Sequence, residues 1–237
     1  MNSYYSKIYT DGTYLKNNPF WDQQDAKYKS SFILRLLSNR PVLTESIIEV
    51  GCGSGQILVE LRKNLPTSTQ LHGIDISPQA IELAKNNVTP DIKIELRDIT
   101  KSKLSSKYDL ALVIDVIEHL EDYFEFIREL RGISRYTIFH IPLDMCIWSL
   151  FREQMLIESK NRVGHIHNFT ENFIKSILVD HEYEIIETIF TEPQIKTQNI
   201  KQRIVELVRK ILFRINPRFC SKTIGGMSLM LLVKNPE

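Results

Sequence analysis

Between Ser46 and His140, short runs of apolar, largely β-branched residues alternate with stretches whose apolar positions recur every three to four residues. The first pattern marks strands buried on both faces, and the second marks amphipathic helices. Together they predict strand 46–50, helix 55–64, strand 70–75, helix 78–87, strands 92–97 and 109–114, helix 119–133 and strand 136–141. Ser77 before Pro78 reads as an N-cap followed by the first helical residue. A helix over Glu171–Asp180 and two later strands, Tyr183–Phe190 and Gly226–Lys234, complete the pattern. Such alternation implies an α/β fold, a Rossmann-like, doubly wound and mostly parallel sheet with helices on both faces. Ligands are then expected at the carboxyl ends of the strands, where Glu49, Asp75, Asp98 and Asp115 all fall.

Residues 1–45 precede the first core strand and hold five of the nine tyrosines, with Phe20 and Trp21 beside them. Asp25–Ser38 carries Tyr28, Phe32, Ile33, Leu36 and Leu37 at helical spacing and leads to a turn at Pro41. This region reads as a cap over a ligand mouth or as a helix packed on the sheet edge, and the two are compatible. Residues 46–237 read as one domain with two insertions on its substrate side, 142–167 and 191–225. The second insertion contains an apolar stripe, Ile200, Ile204, Leu207, Val208, Ile211, Leu212 and Ile215, flanked by Lys201, Arg203, Arg209, Lys210 and Arg214. Such a helix is expected to pack its stripe on its own domain. A lid, a homodimer contact or an anionic membrane surface are the alternatives.

The chemistry begins at Glu49-Val50-Gly51-Cys52-Gly53-Ser54-Gly55, where a strand runs into three glycines at alternate positions. A strand that ends this way brings its backbone close to a ligand. A phosphate-cradling P-loop needs Lys-Ser/Thr after the last glycine, but Gln56-Ile57 follows here. A dinucleotide fingerprint needs glycine where Gln56 stands, which counts against a nicotinamide-dependent oxidoreductase. Glu49 would repel a pyrophosphate and attract an ammonium group. That favours S-adenosylmethionine, which carries an ammonium and a sulfonium and no phosphate. Asp75, 20 residues beyond Gly55, ends the second strand, where an acid can accept both ribose hydroxyls.

These residues resemble the class I S-adenosylmethionine-dependent methyltransferases. Glu49–Gly55 is similar to that family's first motif, and Asp75 to its ribose-binding acid. Ile94–Ile99 resembles the third strand, with Asp98 facing the adenine amino group. Tyr108–Leu120, with its Glu118-His119 pair, resembles the ubiquinone-type branch. The resemblance implies a cofactor set of Glu49, Gly51, Cys52, Gly53, Gly55, Asp75, Ile76, Asp98, Ile99 and Asp115. It also implies a seven-stranded sheet whose last strand is antiparallel and inserted between the fifth and sixth. Ile141–Asp144, Val163–His167 and Ile224–Leu229 look like blocks of methyltransferases encoded among bacterial surface-polysaccharide genes, which points to a small-molecule or glycan hydroxyl as acceptor. N- or C-methylation and a non-catalytic methyltransferase-like binding module are the alternatives.

An oxygen nucleophile needs a base, and histidine titrates in the right range. The candidates are His119 after the fourth strand, and His165 and His167 ahead of a helix capped by Thr170 or Asn168. His140, within a strand, reads as structural. No metal is expected. Neither a second ligand cluster near His165 and His167 nor the adjacent Asp-Asn pair of catechol-type magnesium sites, tested against Asp115 and Asp144, is evident. The turn after Ile114 lacks the prolines of enzymes that methylate nucleobase or amide nitrogens.

Composition changes little. A net charge of +1 gives no global attraction to nucleic acid, so no nucleic-acid partner is expected, and 43% hydrophobic residues are enough for a large core. Three scattered cysteines, Cys52, Cys146 and Cys220, fit a reducing, cytoplasmic setting better than a disulfide framework. The polar, aromatic start does not read as a signal peptide. No apolar run approaches the ~20 residues that span a bilayer, so stable membrane insertion is not expected.

Overall fold

The computed structural model describes residues 4–18, 23–40, 42–102, 104, 107–192 and 200–236. Phe20, Trp21, Pro41 and positions 193–199 of the second insertion lie outside the described residues. The elements are α1 (Tyr4–Thr10), α2 (Thr13–Asn17), α3 (Ala26–Asn39), β1 (Ser46–Val50), α4 (Gln56–Arg62), β2 (Gln70–Asp75), α5 (Pro78–Asn87), β3 (Ile92–Leu96) and β4 (Tyr108–Ile114). They continue with α6 (Tyr123–Leu130), β5 (Ser134–Pro142), α7 (Ile147–Leu150), α8 (Glu153–Val163), α9 (Glu171–Asp180), β6 (Glu184–Thr191), α10 (Ile200–Ile215), α11 (Pro217–Thr223) and β7 (Ser228–Lys234).

The sheet order is β3-β2-β1-β4-β5-β7-β6. The first five strands are parallel, while β7 runs antiparallel to both β5 and β6. Strand order reverses between β1 and β4, and that switch opens a crevice at their carboxyl ends.

The central strands read as unbroken apolar runs because both faces are covered. Leu110, Leu112 and Ile114 face one core, joined by Ile33 and Leu36 of α3 and by Leu58 and Leu61 of α4. Ala111 and Val113 face the other, filled by Phe126, Ile127 and Leu130 of α6 and by Ile174 and Leu178 of α9. β7 divides the same way, with Leu229, Leu231 and Val233 on one side and Met230 and Leu232 on the other. This is the period-2 alternation of a strand, with apolar residues in both phases.

Helix ends follow local chemistry. The Ser77 side chain accepts a hydrogen bond from Ala80 N, with Pro78 opening the helix, and the Thr170 side chain caps α9 by accepting from Phe173 N. Asn168 does not cap that helix. The helix predicted over 119–133 begins later: Ile117–His119 is a single 3-10 turn, and Asp122 caps α6 by accepting from Glu125 N.

The second insertion differs from expectation more sharply. α10 forms as predicted, but Ile200, Ile204, Leu207, Ile211 and Ile215 are 51–75% exposed instead of packed on the domain. Its inner face carries Arg209, whose Nε donates to Gly225 O at 2.9 Å. In the first insertion α8 buries no residue, and Phe151 ahead of it is 86% exposed. The cysteines are all buried and free. Among the described residues, no helix is long and apolar enough to cross a membrane.

Candidate functional site

A cavity of about 530 Å3 lies at the carboxyl ends of β1, β2 and β4, within the range of small-molecule sites. Each predicted cofactor-binding residue except Gly55 lines it: Glu49, Gly51, Cys52, Gly53, Asp75, Ile76, Asp98, Ile99 and Asp115. The turn after β1 is fixed by backbone bonds, since Gly51 N and Cys52 N both donate to Ile74 O.

The glycines divide their work. Gly51 has φ +78°, and a Cβ there would meet Val116 Cγ2 at 2.6 Å. Gly55 has φ +72°, and a Cβ there would meet Val88 Cγ1 at 2.8 Å and Ala84 Cβ at 3.3 Å. Both positions need glycine for conformation and for packing against protein. A strand-end glycine is expected to make room for a ligand, but at Gly55 the close neighbours belong to α5 and its C-cap. Gly53 N donates to Asp75 Oδ2 at 2.9 Å, tying the turn to the second acid.

Asp75 is buried, and Ser77 N donates to its other oxygen at 2.8 Å. Burial raises its pKa above the ordinary carboxylate value, against the backbone donors of Ser77, Gly53 and Ile76. Three backbone donors still leave the carboxylate acceptor capacity for a hydroxyl donor. Glu49 is 2% exposed, and its Oε2 has no hydrogen-bond partner. Burial and then the Asp75 charge push its pKa well up, with Lys29 opposing. A buried carboxylate left this way calls for a cation.

Ile76 offers a 36% exposed apolar face, and Ile99 is buried. Asp98 Oδ1 accepts from Thr100 N and Oγ1, and Oδ2 pairs with Lys101 Nζ at 2.6 Å. Burial would raise the Asp98 pKa, but Lys101 and Thr100 outweigh it and the net shift is downward. Asp115 adopts φ 52° and is held between Lys29 Nζ at 2.7 Å and His140 Nδ1 at 2.6 Å. Burial again opposes ionisation, and His140 with Lys29 overcomes it, holding the carboxyl far below its usual range.

The three candidate bases part company. His167 Nε2 donates to Leu120 O at 2.8 Å, and its ring packs edge-on against Tyr123, so it braces the loop. His119 lines the cavity and its Nδ1 lies 3.1 Å from Gly164 O. Burial and the neighbouring His165 lower its pKa to about 4. His165 stands against His119 with ring centroids 4.9 Å apart, and its Nδ1 is 2.6 Å from Asp144 Oδ2. His140, read from the sequence as structural, lies with Nδ1 2.6 Å from Asp115 Oδ1 and Nε2 2.9 Å from Thr191 Oγ1. Asp115 and Asp144 thus have separate imidazole partners.

Sequence reasoning missed four contributors. Tyr9, Tyr14 and Lys29 of the N-terminal helices line the cavity, and Glu118, given no role from the sequence beyond its place in the Glu118-His119 pair, is fully buried with Oε1 3.8 Å from Nε2 of the cavity-lining His119. The tyrosine-rich start was the visible signal for the first two. Nothing in the spacing of α3 marks Lys29.

The sheet order and helix layers are a Rossmann-like α/β fold, which the chain shares with solved methyltransferases. Residues 48–135 match the family described as a methyltransferase domain. The ubiquinone biosynthesis O-methyltransferase of Pelagibacter ubique is 31% identical over 121 residues, covering 49% of this chain and 44% of that protein. The N-methyltransferase NodS from Bradyrhizobium japonicum, solved with S-adenosyl-L-homocysteine, has a TM-score of 0.57 at 18% identity over 89% of this chain and 87% of that one. A chain of the Haloferax volcanii complex between the Trm112 methyltransferase activator and a methyltransferase has a TM-score of 0.68 at 13% identity over 100% of both chains. The chain spans about a third to under half of the length of the first curated relatives it matches.

Proposed function

We propose that the chain is an S-adenosylmethionine-dependent methyltransferase acting on a hydroxyl oxygen of a small molecule or glycan. The observation that carries the cofactor is the unpartnered carboxylate oxygen of Glu49, buried in the cavity beside a glycine turn. Glu49 takes the ammonium of the methionine part, and Asp75 the ribose hydroxyls. Ile76 and Ile99 flank the adenine, and Asp98 approaches its amino group. When bound, the cofactor supplies an electrophilic methyl group on a sulfonium.

The chain's part in the chemistry is to hold the acceptor in line and to remove its proton. His119 lines the cavity and His165 is oriented by Asp144, so this pair is where an acceptor hydroxyl loses its proton. Relatives include an enzyme named for O-methylation and a solved fold named for N-methylation, so a nitrogen acceptor is the second reading. The sugar preference rests on the short segments around Pro142, His165 and Gly226.

Calorimetric titration with S-adenosylhomocysteine, wild type against Asp75→Ala, tests the cofactor assignment. Affinity weaker than ~1 mM in the wild type, corresponding to less than ~4 kcal/mol, would remove it. Transfer of labelled methyl to hydroxylated acceptors, and not to amine analogues, tests the oxygen assignment.

A further inference from the structure

Around His119, which lines the cavity, Glu118, His119 and His165 each offer one ligand atom, and these atoms lie within 4.8 Å of one another. Glu118 is 0% exposed, and neither of its carboxylate oxygens has a hydrogen-bond partner. Burying a carboxylate without a donor or cation is strongly unfavourable. The backbone nevertheless fixes it there, because Ile166 N and His167 N donate to Glu118 O at 2.9 and 3.1 Å. The two histidines are prepared in a complementary way. His119 Nδ1 faces the Gly164 carbonyl and His165 Nδ1 faces the Asp144 carboxylate, both acceptors, so each Nδ1 carries the proton. That leaves Nε2 of each ring with a free lone pair. An imidazole held by its other nitrogen on a carbonyl or carboxylate is the usual support of a metal ligand.

We propose that Glu118, His119 and His165 form a binding site for one divalent transition-metal ion, of the zinc or manganese class. Two imidazole nitrogens and one carboxylate oxygen suit such ions better than magnesium or calcium, which favour oxygen ligands throughout. Ligand atoms around a single ion at ~2.0–2.2 Å stand closer together than 4.8 Å, so the side chains draw in by well under an ångström each. The cation neutralises Glu118, and three protein ligands leave a position open.

His119 also lines the cavity, so the open position belongs to the acceptor. This deepens the proposed methyl transfer and, for its consequence, rests on it. With the ion bound, His119 and His165 would serve as its ligands in place of acting as bases, and a hydroxyl on the ion would lose its proton to water near neutral pH. Its oxygen then bonds to the methyl carbon as the carbon–sulfur bond breaks and the electron pair stays on sulfur. Local spacing does not reveal this cluster, because the fold brings Glu118 and His119 to His165 from a different turn.

The test uses the untagged full chain, stripped with chelator and titrated with ZnCl2 and MnCl2 by calorimetry, and with CoCl2 by visible absorption. We expect one ion per chain. Glu118→Gln and His165→Ala should each abolish or weaken binding ~100-fold, and Asp144→Asn, which only releases the His165 ring, ~10–100-fold. S-adenosylhomocysteine affinity and circular dichroism report whether each variant is folded; if Glu118→Gln is not, the Asp144→Asn and His165→Ala results decide. Absence of saturable binding, or binding indifferent to these substitutions, overturns the site. Cofactor binding without ion binding defeats this inference alone, whereas ion binding without cofactor binding defeats the methyltransferase reading and leaves the metal site standing.

Discussion

Lys29 Nζ lies 2.7 Å from Asp115 Oδ2, so an ion pair ties the N-terminal helix α3 to the end of β4 at the cavity wall. Both side chains are largely buried, and His140 Nδ1 takes the other oxygen of Asp115. The arrangement allows Asp115 to hold φ 52°, a conformation that is costly for a residue with a side chain.

Lys29→Met should therefore cost about 1–3 kcal/mol of unfolding free energy at pH 7, since it leaves a buried carboxylate with one partner fewer. Asp115 titrates lower folded than unfolded. Its contribution is fully present above the unfolded value of ~3.9 and is lost only as pH falls below that towards the folded value. Urea unfolding of both proteins at several pH values checks this. A gap between wild type and variant that widens on acidification would rule out the assignment.

Glu49→Gln makes a complementary case, because burial raises the pKa of Glu49. For an acid raised on folding, stability is highest below the unfolded pKa and falls as pH rises towards the folded one. The variant should be as stable as the wild type or more so at neutral pH, yet bind S-adenosylhomocysteine ~10–100-fold more weakly, losing a charge-assisted contact of about 1.5–3 kcal/mol. An ammonium ligand favours the ionised carboxylate, so wild-type binding should release protons, seen as a heat that depends on buffer ionisation. Equal affinity in the two proteins would detach Glu49 from the cofactor.

The sheet was legible because each core strand is a short apolar run ended by an acid or a turn. The inserted β7 followed from the resemblance and not from the strand pattern. The start of α6 was misplaced because Ile117, His119 and Leu120 continue a helical-looking pattern, while Asp122 caps the helix three residues later. The side-chain pairings around Asp115 and His165 were invisible for another reason. Lys29 with Asp115, and His165 with Asp144, join residues from separate elements, and no local spacing encodes such contacts. The exposure of the α10 stripe was likewise unreadable, since periodicity reveals that a helix has an apolar face but not what covers it.

Gly51→Ala should combine two penalties, a side chain at φ +78° and a Cβ 2.6 Å from Val116 Cγ2. Together they should amount to about 2–4 kcal/mol. Adding Val116→Ala removes the obstructing methyl but not the backbone cost. The double variant is expected to recover part of the cofactor affinity lost in Gly51→Ala, while remaining less stable than Val116→Ala alone. Full recovery would mean that the left-handed conformation carries no cost here.

His72 in β2 is buried, with Nδ1 2.6 Å from the Tyr108 hydroxyl. Burial, helped by Lys93 and opposed by Glu95, lowers its pKa to about 4. The unfolded chain takes up this proton near pH 6.5 and the folded one near 4, so stability should fall as pH drops through that window. The expected loss is about 2–3 kcal/mol. His72→Gln should flatten this part of the stability profile, and an unchanged slope would place the titration elsewhere.

The apolar stripe of α10 gives the sharpest contrast between sequence pattern and energetics. Leu207 is 59% and Ile211 51% exposed, whereas Leu61 of α4 is fully buried. A hydrophobic residue stabilises a fold only by the area it removes from water. Leu207→Gln with Ile211→Gln, which changes helix propensity little, should shift the unfolding free energy of dilute protein by no more than ~0.5 kcal/mol. Leu61→Ala should cost about 2–5 kcal/mol through lost burial and the cavity left behind. Denaturant curves at low protein concentration separate the cases. A loss in the α10 variant approaching that of Leu61→Ala would mean the stripe is covered in solution, and repeating the measurement across protein concentrations would show whether a second copy of the chain covers it.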